Sequence, residues 1–591
     1  MKKIDFKIIL LSLIVPVFLI SCEDYLEKTP DAGVSEEDVF TTYNSFQGFE
    51  DQMYAFVVEP NGSENSQGTE NGDHTVSGLF WSSAGKFQVG NYRGVINVGN
   101  SNYWSNKHGA YNVKHGYWPA GWAGIRVANI ALEKLPMLVD ATDEEKQLLA
   151  GQAYFFRAYF HWNICKRWGG IPYVDKVFQP DDDMRLPRLT FQETVDRIAE
   201  DFEKAAQLLP EDWDETTVGG QFKGYNAGRA TKGAALAFMA KALLYAGSPL
   251  MNHETHGSYT FNADYMQRAA EAAYKVIQLA DKGVYALTIF TDIQKNFARK
   301  DNTMPWTRET LFQKVITRKG AWAFRGASRA IGTVYIPNRF KANKNCESVT
   351  QNLVDMFEMA NGLPVDDPAS GYDPMHPWDG RDPRFNAFVL CDQQKAGVKK
   401  QTMLQTYKGG MDQRNANILT AYLVRKYWPV GVNGYDKQWN GFRYATPLMR
   451  LAEVYLIYAE AVNEAFGPNG SVSGASLTAL DAVNIIRNRA NMPNVDAKFT
   501  GSKESLRNRI WNERSVELCF ENGQRWDDAR RWHIAHTSEY RDIYDLEFDK
   551  NHTYFNRVKR LTIVFEDRHY WMPFPNEQTE IYVGWPQNPG W

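Results

Sequence analysis

The stretch from Pro447 to Trp532 constrains the fold most, because two apolar stripes of helical period follow one another across a single loop. PLMRLAEVYLIYAEAVNEAF places Leu448, Leu451, Val454, Tyr455, Tyr458, Ala459 and Val462 at three- and four-residue steps, ending at Gly467 and Pro468. SLTALDAVNIIRNRA then carries Leu477, Leu480, Val483, Ile486 and Ala490 before Pro493 stops it. This is an antiparallel helix pair, and such a pair must stack on others to cover both faces. A third helix is predicted over KESLRNRIWNERSVELCFENGQRWDDARRW, where Glu513, Glu517 and Glu521 stand four residues apart and Arg525 one step further on. Carboxylates so spaced invite a catalytic reading, yet glutamate followed by arginine at i+4 fits a structural ion-pair ladder better.

Comparable units recur along the chain. TDEEKQLLAGQAYFFRAYFHWNICKRWGG opens with a Thr142 cap and Glu145 three residues on, then aligns Leu149, Ala153, Phe156, Phe160 and Ile164; Phe191 to Leu209 is its partner. RATKGAALAFMAKALLYAGSPL spaces Ala234, Phe238, Ala242 and Ala246 by four for close approach to a neighbour, with Asp264 to Ala280 as its mate. Further helices are read from Ser45, over Gly124 to Leu138, and over QNLVDMFEMANGLPV with Gly362 as its C-cap. The small residues and terminal prolines resemble tetratricopeptide units with lengthened loops. The expected fold is mainly α: tetratricopeptide-like helix pairs forming an α-α superhelical scaffold, interrupted by large irregular insertions near 60–122 and 281–349.

Those insertions carry the candidate site. From His74 to Trp122, glycines alternate with Trp81, Tyr92, Tyr103, Trp104, Tyr111, Tyr117, Trp118 and Trp122 in no regular period, beside Arg93, Lys107 and Lys114. Flat aromatic faces stack on the C–H surface of a pyranose, and such side chains hydrogen-bond its hydroxyls. Trp118 and Trp122, next to a helix, read as core. The second insertion holds Trp306, Trp322, Arg325, Arg329 and Tyr335. Trp81, Tyr103 and Trp104 in the first, with Trp322 and Arg325 beside Gly320 and Gly326 in the second, are the predicted ligand-binding residues, provided the two insertions meet. Asp366, Asp367, Asp373, Asp379 and Asp382 lie in a loop-rich stretch whose spacing fits no EF-hand, so they read as solvated turns rather than a calcium site.

The N-terminus supplies an address. Lys2, Lys3 and Lys7 precede an apolar run from Ile8 to Ile20, too short to span a membrane, and Leu19-Ile20-Ser21-Cys22 resembles a lipobox. Residues 1–21 are thus expected to be a lipoprotein signal peptide, Cys22 the lipidated first residue, and 22–591 a single domain. Without Lys2, Lys3, Lys7 and Asp5, the 66 basic and 70 acidic residues become 63 and 69, a net charge near −6 that argues against nucleic acid as a partner. Cys165 and Cys519 fall in helical patterns and read as buried thiols. Zincin, P-loop and nucleophile-elbow motifs are absent from the sequence, His253 and His256 lack evident co-ligands, and no cofactor or metal is expected.

Together these segments resemble the SusD/RagB family of outer-membrane nutrient-binding lipoproteins. The resemblance rests on the arginine-led AEVYL-AEA helix, NIIRNRA, ERSVELCFENGQRWDDARRW with one extra residue at Asn522, the mature start CEDYLEKTP and the tail HYWMPFPNEQTEIYVGWPQNPGW. It implies a non-enzymatic, lipid-anchored protein of the outer membrane, facing outward. Such a protein captures a glycan and passes it to a SusC-like TonB-dependent transporter. A peptide-binding RagB-like protein and an all-α polysaccharide hydrolase or lyase are the alternatives; the last needs two carboxylates about 5 to 9.5 Å apart around a sugar. One stacked sugar contributes on the order of 1 kcal/mol, so Trp81→Ala, Trp104→Ala and Trp322→Ala should each weaken glycan binding several-fold at unchanged melting temperature. Calorimetry paired with thermal unfolding separates that result from loss of core packing, which would cost roughly 3 to 5 kcal/mol of stability.

Overall fold

The computed structural model describes residues 35–58, 72–78, 83–96, 116–314, 338–340, 347–438, 441–576, 579 and 584–591. Its frame is a run of helices: α1 (Tyr43–Phe56), α2 (Tyr117–Lys134), α3 (Asp143–Trp168), α4 (Phe191–Leu208), α5 (Lys232–Ala246), α6 (Ala263–Asp281), α7 (Leu451–Phe466), α8 (Ala479–Arg489), α9 (Lys503–Glu517) and α10 (Gln524–Arg531). From α2 to α8 each packs on the next in chain order, including α6 on α7, although residues 282–450 intervene between those two. The chain therefore leaves the stack and rejoins it at the same place.

Capping chemistry sets the helix starts. Thr142 accepts from the Glu145 amide at 3.2 Å while the Glu145 carboxylate takes the Thr142 amide at 2.8 Å, and Thr190 with Glu193 repeats the device. Helix α2 begins earlier than its pattern suggests, at Tyr117, so Trp118 and Trp122 lie within its first turns. Trp118 is buried against Trp168 and Trp122, with ring centroids at 5.1 and 5.6 Å. A Cβ on Gly124 would stand 2.2 Å from the Phe160 ring, so this position requires glycine for α2 and α3 to approach. Helix α5 is buried from Gly233 to Ala246 on every side, not only along its small-residue stripe, because α3, α4, α6 and α7 all pack around it.

Strands are short and occur as antiparallel pairs among the described residues: β1 (Thr75–Ser77) with β4 (Glu347–Val349), β2 (Ala298–Arg299) with β7 (Arg443–Tyr444), β3 (Thr310–Phe312) with β8 (Met449–Arg450), β5 (Val389–Leu390) with β6 (Leu423–Val424), and β9 (Asp542–Phe548) with β10 (Phe555–Thr562). The class is mainly α, as expected. Gly362 caps no helix. The helix from Gln351 ends at Met356, and Gly362, at φ +83°, closes a separate turn on the Met359 carbonyl.

The predicted third helix divides in two. Phe520, Asn522 and Gly523 adopt left-handed φ of 66°, 51° and 70°, which separates α9 from α10, and the Asn522 amide donates to the Pro447 carbonyl at 2.5 Å. This break rearranges the charge ladder. Arg525 pairs with Asp73 at 2.6 Å instead of Glu521, while Glu521 meets Arg450 at 2.7 Å and Lys426 at 2.6 Å. Glu517 accepts from Arg450 at 2.8 Å, from Arg384 at 3.2 Å and from Arg489. Arg450 also reaches Glu309 at 2.7 Å, Arg487 links Glu513 to Glu358, and Arg384 binds Asp382 and Glu513. Asp382 is thus a buried ion-pair member rather than a solvated turn residue. The glutamates are structural, but their partners come from distant chain segments and not from the next helical turn.

Removing one partner of such a buried set strands the others without a counter-charge, at a cost of about 3–5 kcal/mol. Glu517→Ala should lower the urea unfolding midpoint accordingly, whereas Glu504→Ala, exposed on the first turn of α9, should shift stability by less than about 0.5 kcal/mol. Burial pushes the Glu517 carboxyl up, yet Arg489, Arg450, Arg384 and Lys426 outweigh it and hold the group far below the ordinary glutamate value of 4.5. Burial likewise raises the Asp528 carboxyl, and Arg514 and Arg531 bring it down to about 2 from 3.8. Depressed carboxylates stabilise the fold above their unfolded values, so stability should be lost progressively as pH falls below about 4.5. Equilibrium unfolding between pH 7 and 3 checks this.

Candidate functional site

The residues singled out from the sequence, Trp81, Tyr103, Trp104, Trp322 and Arg325, lie outside the described residues, as does Cys22. What the structure fixes is where their segments attach. Strands β1 and β4 register Thr75 with Val349, Val76 with Ser348 and Ser77 with Glu347. The chain therefore enters the stretch containing Trp81 beside the point where it returns from the stretch containing Trp322. A second junction lies at Lys314, whose ammonium donates to the carbonyls of Val57 at 2.5 Å and Ala55 at 3.3 Å, joining the end of β3 to the end of α1. Thr350 donates to the Asp73 carbonyl at 2.5 Å, and Asp73 is in turn held by Arg525 of α10. The flanks of both insertions are thereby pinned together and to the helix frame.

Beside the Lys314 junction, described residues form a cleft of about 950 Å³. Three loops build it: residues 210–231 between α4 and α5, residues 282–285 after α6, and residues 306–311 leading into β3. Trp213 forms its floor, buried and donating from Nε1 to the Ala230 carbonyl at 2.6 Å, with the Arg229 guanidinium 5.1 Å from its ring centroid. Arg229 is steered by Asp51 at 3.4 Å and Gln152 at 3.3 Å, so α1 and α3 position it. Tyr285 bonds Thr231 at 2.9 Å, and burial pushes its hydroxyl up to about 12, leaving it neutral at working pH.

Trp306 behaves differently from these. It is half-buried on the cleft wall, and its indole makes no ring contact or hydrogen bond with the described residues. Asp212, Lys282 and Arg308 are exposed around it. An open aromatic face among donors and acceptors of both signs suits a polyhydroxylated ring: the apolar C–H face stacks and the hydroxyls find partners at the rim. The sequence placed Trp306 in the second insertion, but adjacency to glycine favoured Trp322. The missed signal was Pro305, which holds Trp306 at the edge of the turn, its carbonyl taking the buried Gln313 amide at 2.8 Å.

The other polar candidates have internal roles. Asp367 pairs with Lys498, and Asp373 bonds the Met375 amide and the His376 ring, each at 2.8 Å. His253 stacks on Tyr259 at 3.8 Å, and Tyr259 on His533 at 3.7 Å. Cys165 and Cys519 are buried free thiols. No group of three or more His, Cys, Asp or Glu able to hold a metal occurs among the described residues.

Residues 311–591 match the SusD family, and residues 24–244 match the family described as starch-binding, associating with outer membrane. Two proteins of Formosa agariphila are similar along most of their length. SusD-like protein P2 is 25% identical over 544 residues, covering 90% of each chain, and SusD-like protein P38 is 22% identical over 560 residues, covering 90% of this chain and 92% of the other. In fold, the chain resembles a SusD-like protein of Bacteroides fragilis with a TM-score of 0.70 at 23% identity, over 94% of this chain and 99% of that one. A SusD-like carbohydrate-binding protein of the same species gives 0.63 at 20% identity, over 92% and 99%. With both halves of its sequence matched by SusD-type family models, the chain belongs to the SusD/RagB family.

Proposed function

We propose that the protein is a cell-surface glycan-binding lipoprotein that captures oligo- or polysaccharide and delivers it to a SusC-like TonB-dependent transporter of the outer membrane. The observation that carries the binding part is Trp306, an indole left open in a cleft of about 950 Å³ beside the junction of the two insertions. Membership of the family, one of whose matching descriptions names starch binding and outer-membrane association, supports both the ligand class and the address. The helix frame is the docking face for the transporter in this reading, and the aromatic insertions with the cleft hold ligand. Binding without chemistry is the reading that suits Glu513, Glu517 and Glu521, whose carboxylates are committed to arginine or lysine.

Trp306→Ala should weaken binding of a glycan selected by array screening about fivefold, with the melting temperature within about 2 °C of wild type. Unchanged affinity, or a loss that follows unfolding, would remove the cleft from the site; calorimetric binding of peptide mixtures and of no glycan would replace the ligand class. Anchoring is tested separately. Cys22→Ala removes the thiol that accepts the lipid, so the variant should be soluble or uncleaved. A variant that still sediments with the outer membrane and is cut by protease on whole cells would refute the lipoprotein assignment.

A further inference from the structure

Among the described residues, almost every buried arginine has a partner that explains its burial. Arg384, Arg450 and Arg531 meet carboxylates, and Arg381, which lacks one, donates to the carbonyls of Val354, Phe357 and Pro377. Arg425 has none of these. It is 9% exposed, its Nη1 is shut off from solvent with no hydrogen-bond partner, and its guanidinium makes no ion pair, hydrogen bond or ring contact among the described residues. Only its backbone is engaged: the amide donates to Phe388 at 2.7 Å and the carbonyl accepts from Gln294 at 3.3 Å. Burial alone, with no neighbouring charge to oppose it, holds the side chain down to about 10. The adjacent Lys426, more deeply buried still, lies in the carboxylate network, 2.6 Å from Glu521. The contrast is therefore local to one side chain.

An unpaired guanidinium in such a place is expensive, and a counter-anion relieves the cost. The position of Arg425 says where that anion comes from. The residue follows β6, whose neighbour Tyr422 accepts from the Val349 amide of β4 at 2.9 Å, and it precedes Trp428, which packs on Phe340 at 5.5 Å. Arg425 thus stands between the two anchors of the second insertion's returning flank. It does not line the Trp306 cleft. We propose that Arg425 is a binding point for an oxyanion, the carboxylate of a uronate or a sulfate ester, carried by the ligand. Resting on the glycan-binding function proposed above, this assigns an acidic glycan; the anion point itself is tested without any glycan chain.

Thermal unfolding at constant ionic strength, titrated in separate arms with sodium glucuronate, sodium sulfate and glucose, reads the site directly. Wild type should show a saturable rise in melting temperature with glucuronate, with sulfate or with both, and none with glucose. Arg425→Met, which replaces an unpaired buried charge by an apolar side chain of similar length, should fold at least as stably as wild type without anion and should need at least about tenfold more anion for the same shift. Arg425→Lys keeps the charge but not the fork and should fall between them. A glucuronate response alone identifies a carboxylate, and a sulfate response alone a sulfate ester. The proposal is overturned by a wild type with no saturable response to either anion, by an Arg425→Met variant that responds equally, by a glucose shift that the substitution abolishes, or by a large loss of stability in anion-free Arg425→Met. Glycan binding with no anion response would leave the proposed function standing and remove only its acidic ligand.

Discussion

Glu517 and the cations around it hold the two parts of this architecture together. Its carboxylate accepts from Arg489 of α8, from Arg450 at the entry to α7 and from Arg384 in the loop-rich stretch. Through Arg450 the set extends to Glu309 within the second insertion, and through Lys426 to Glu521 at the break before α10. A packed apolar contact tolerates sliding, but charges in a low-dielectric interior tolerate only the arrangement that pairs them all. The set therefore fixes how loop material from residues 282–450 sits on the helices, whatever it adds to net stability.

That dependence also explains why some features could be read from the sequence and others could not. The stripes of α7, α5 and α3 were visible because burial at helical period is a local signal, and the Thr142–Glu145 box fixed a helix start to the residue. The glutamate spacing was equally visible but pointed to the wrong partners. An i+4 rule sees only one helix, whereas Arg384, Arg450 and Arg487 approach from distant segments. The division between α9 and α10 hid behind a continuous helical pattern, since Asn522 and Gly523 signal a left-handed turn only when read together. For the site, composition pointed to aromatic insertions, but which aromatic stays open depends on tertiary neighbours. Trp118 and Trp213 are sealed by other rings or carbonyls, and Trp306 is not.

The cleft and the charge network meet without mixing. Glu309 is fully buried one residue from exposed Arg308, so a single turn faces the ion-pair set on one side and the cleft on the other. Substitution on the Trp306 side changes a surface; on the Glu309 side it changes the frame. This separation gives the loop at 306–311 freedom to vary in what it presents while its attachment stays constant.

The pairing of β1 with β4 bears on the length of the insertions. It brings Ser77 and Glu347 together across the whole intervening chain, so the stretch after Ser77 in the first insertion and the end of the second both meet a point pinned by backbone pairing. The entropic cost of lengthening a loop between fixed ends rises only logarithmically with its length, and backbone pairing does not depend on which side chains the loop carries. A frame of this kind accommodates insertions of different length and sequence without a change in the fold beneath them. A change of sequence within either insertion then acts on the loop itself and leaves the frame that holds its ends untouched.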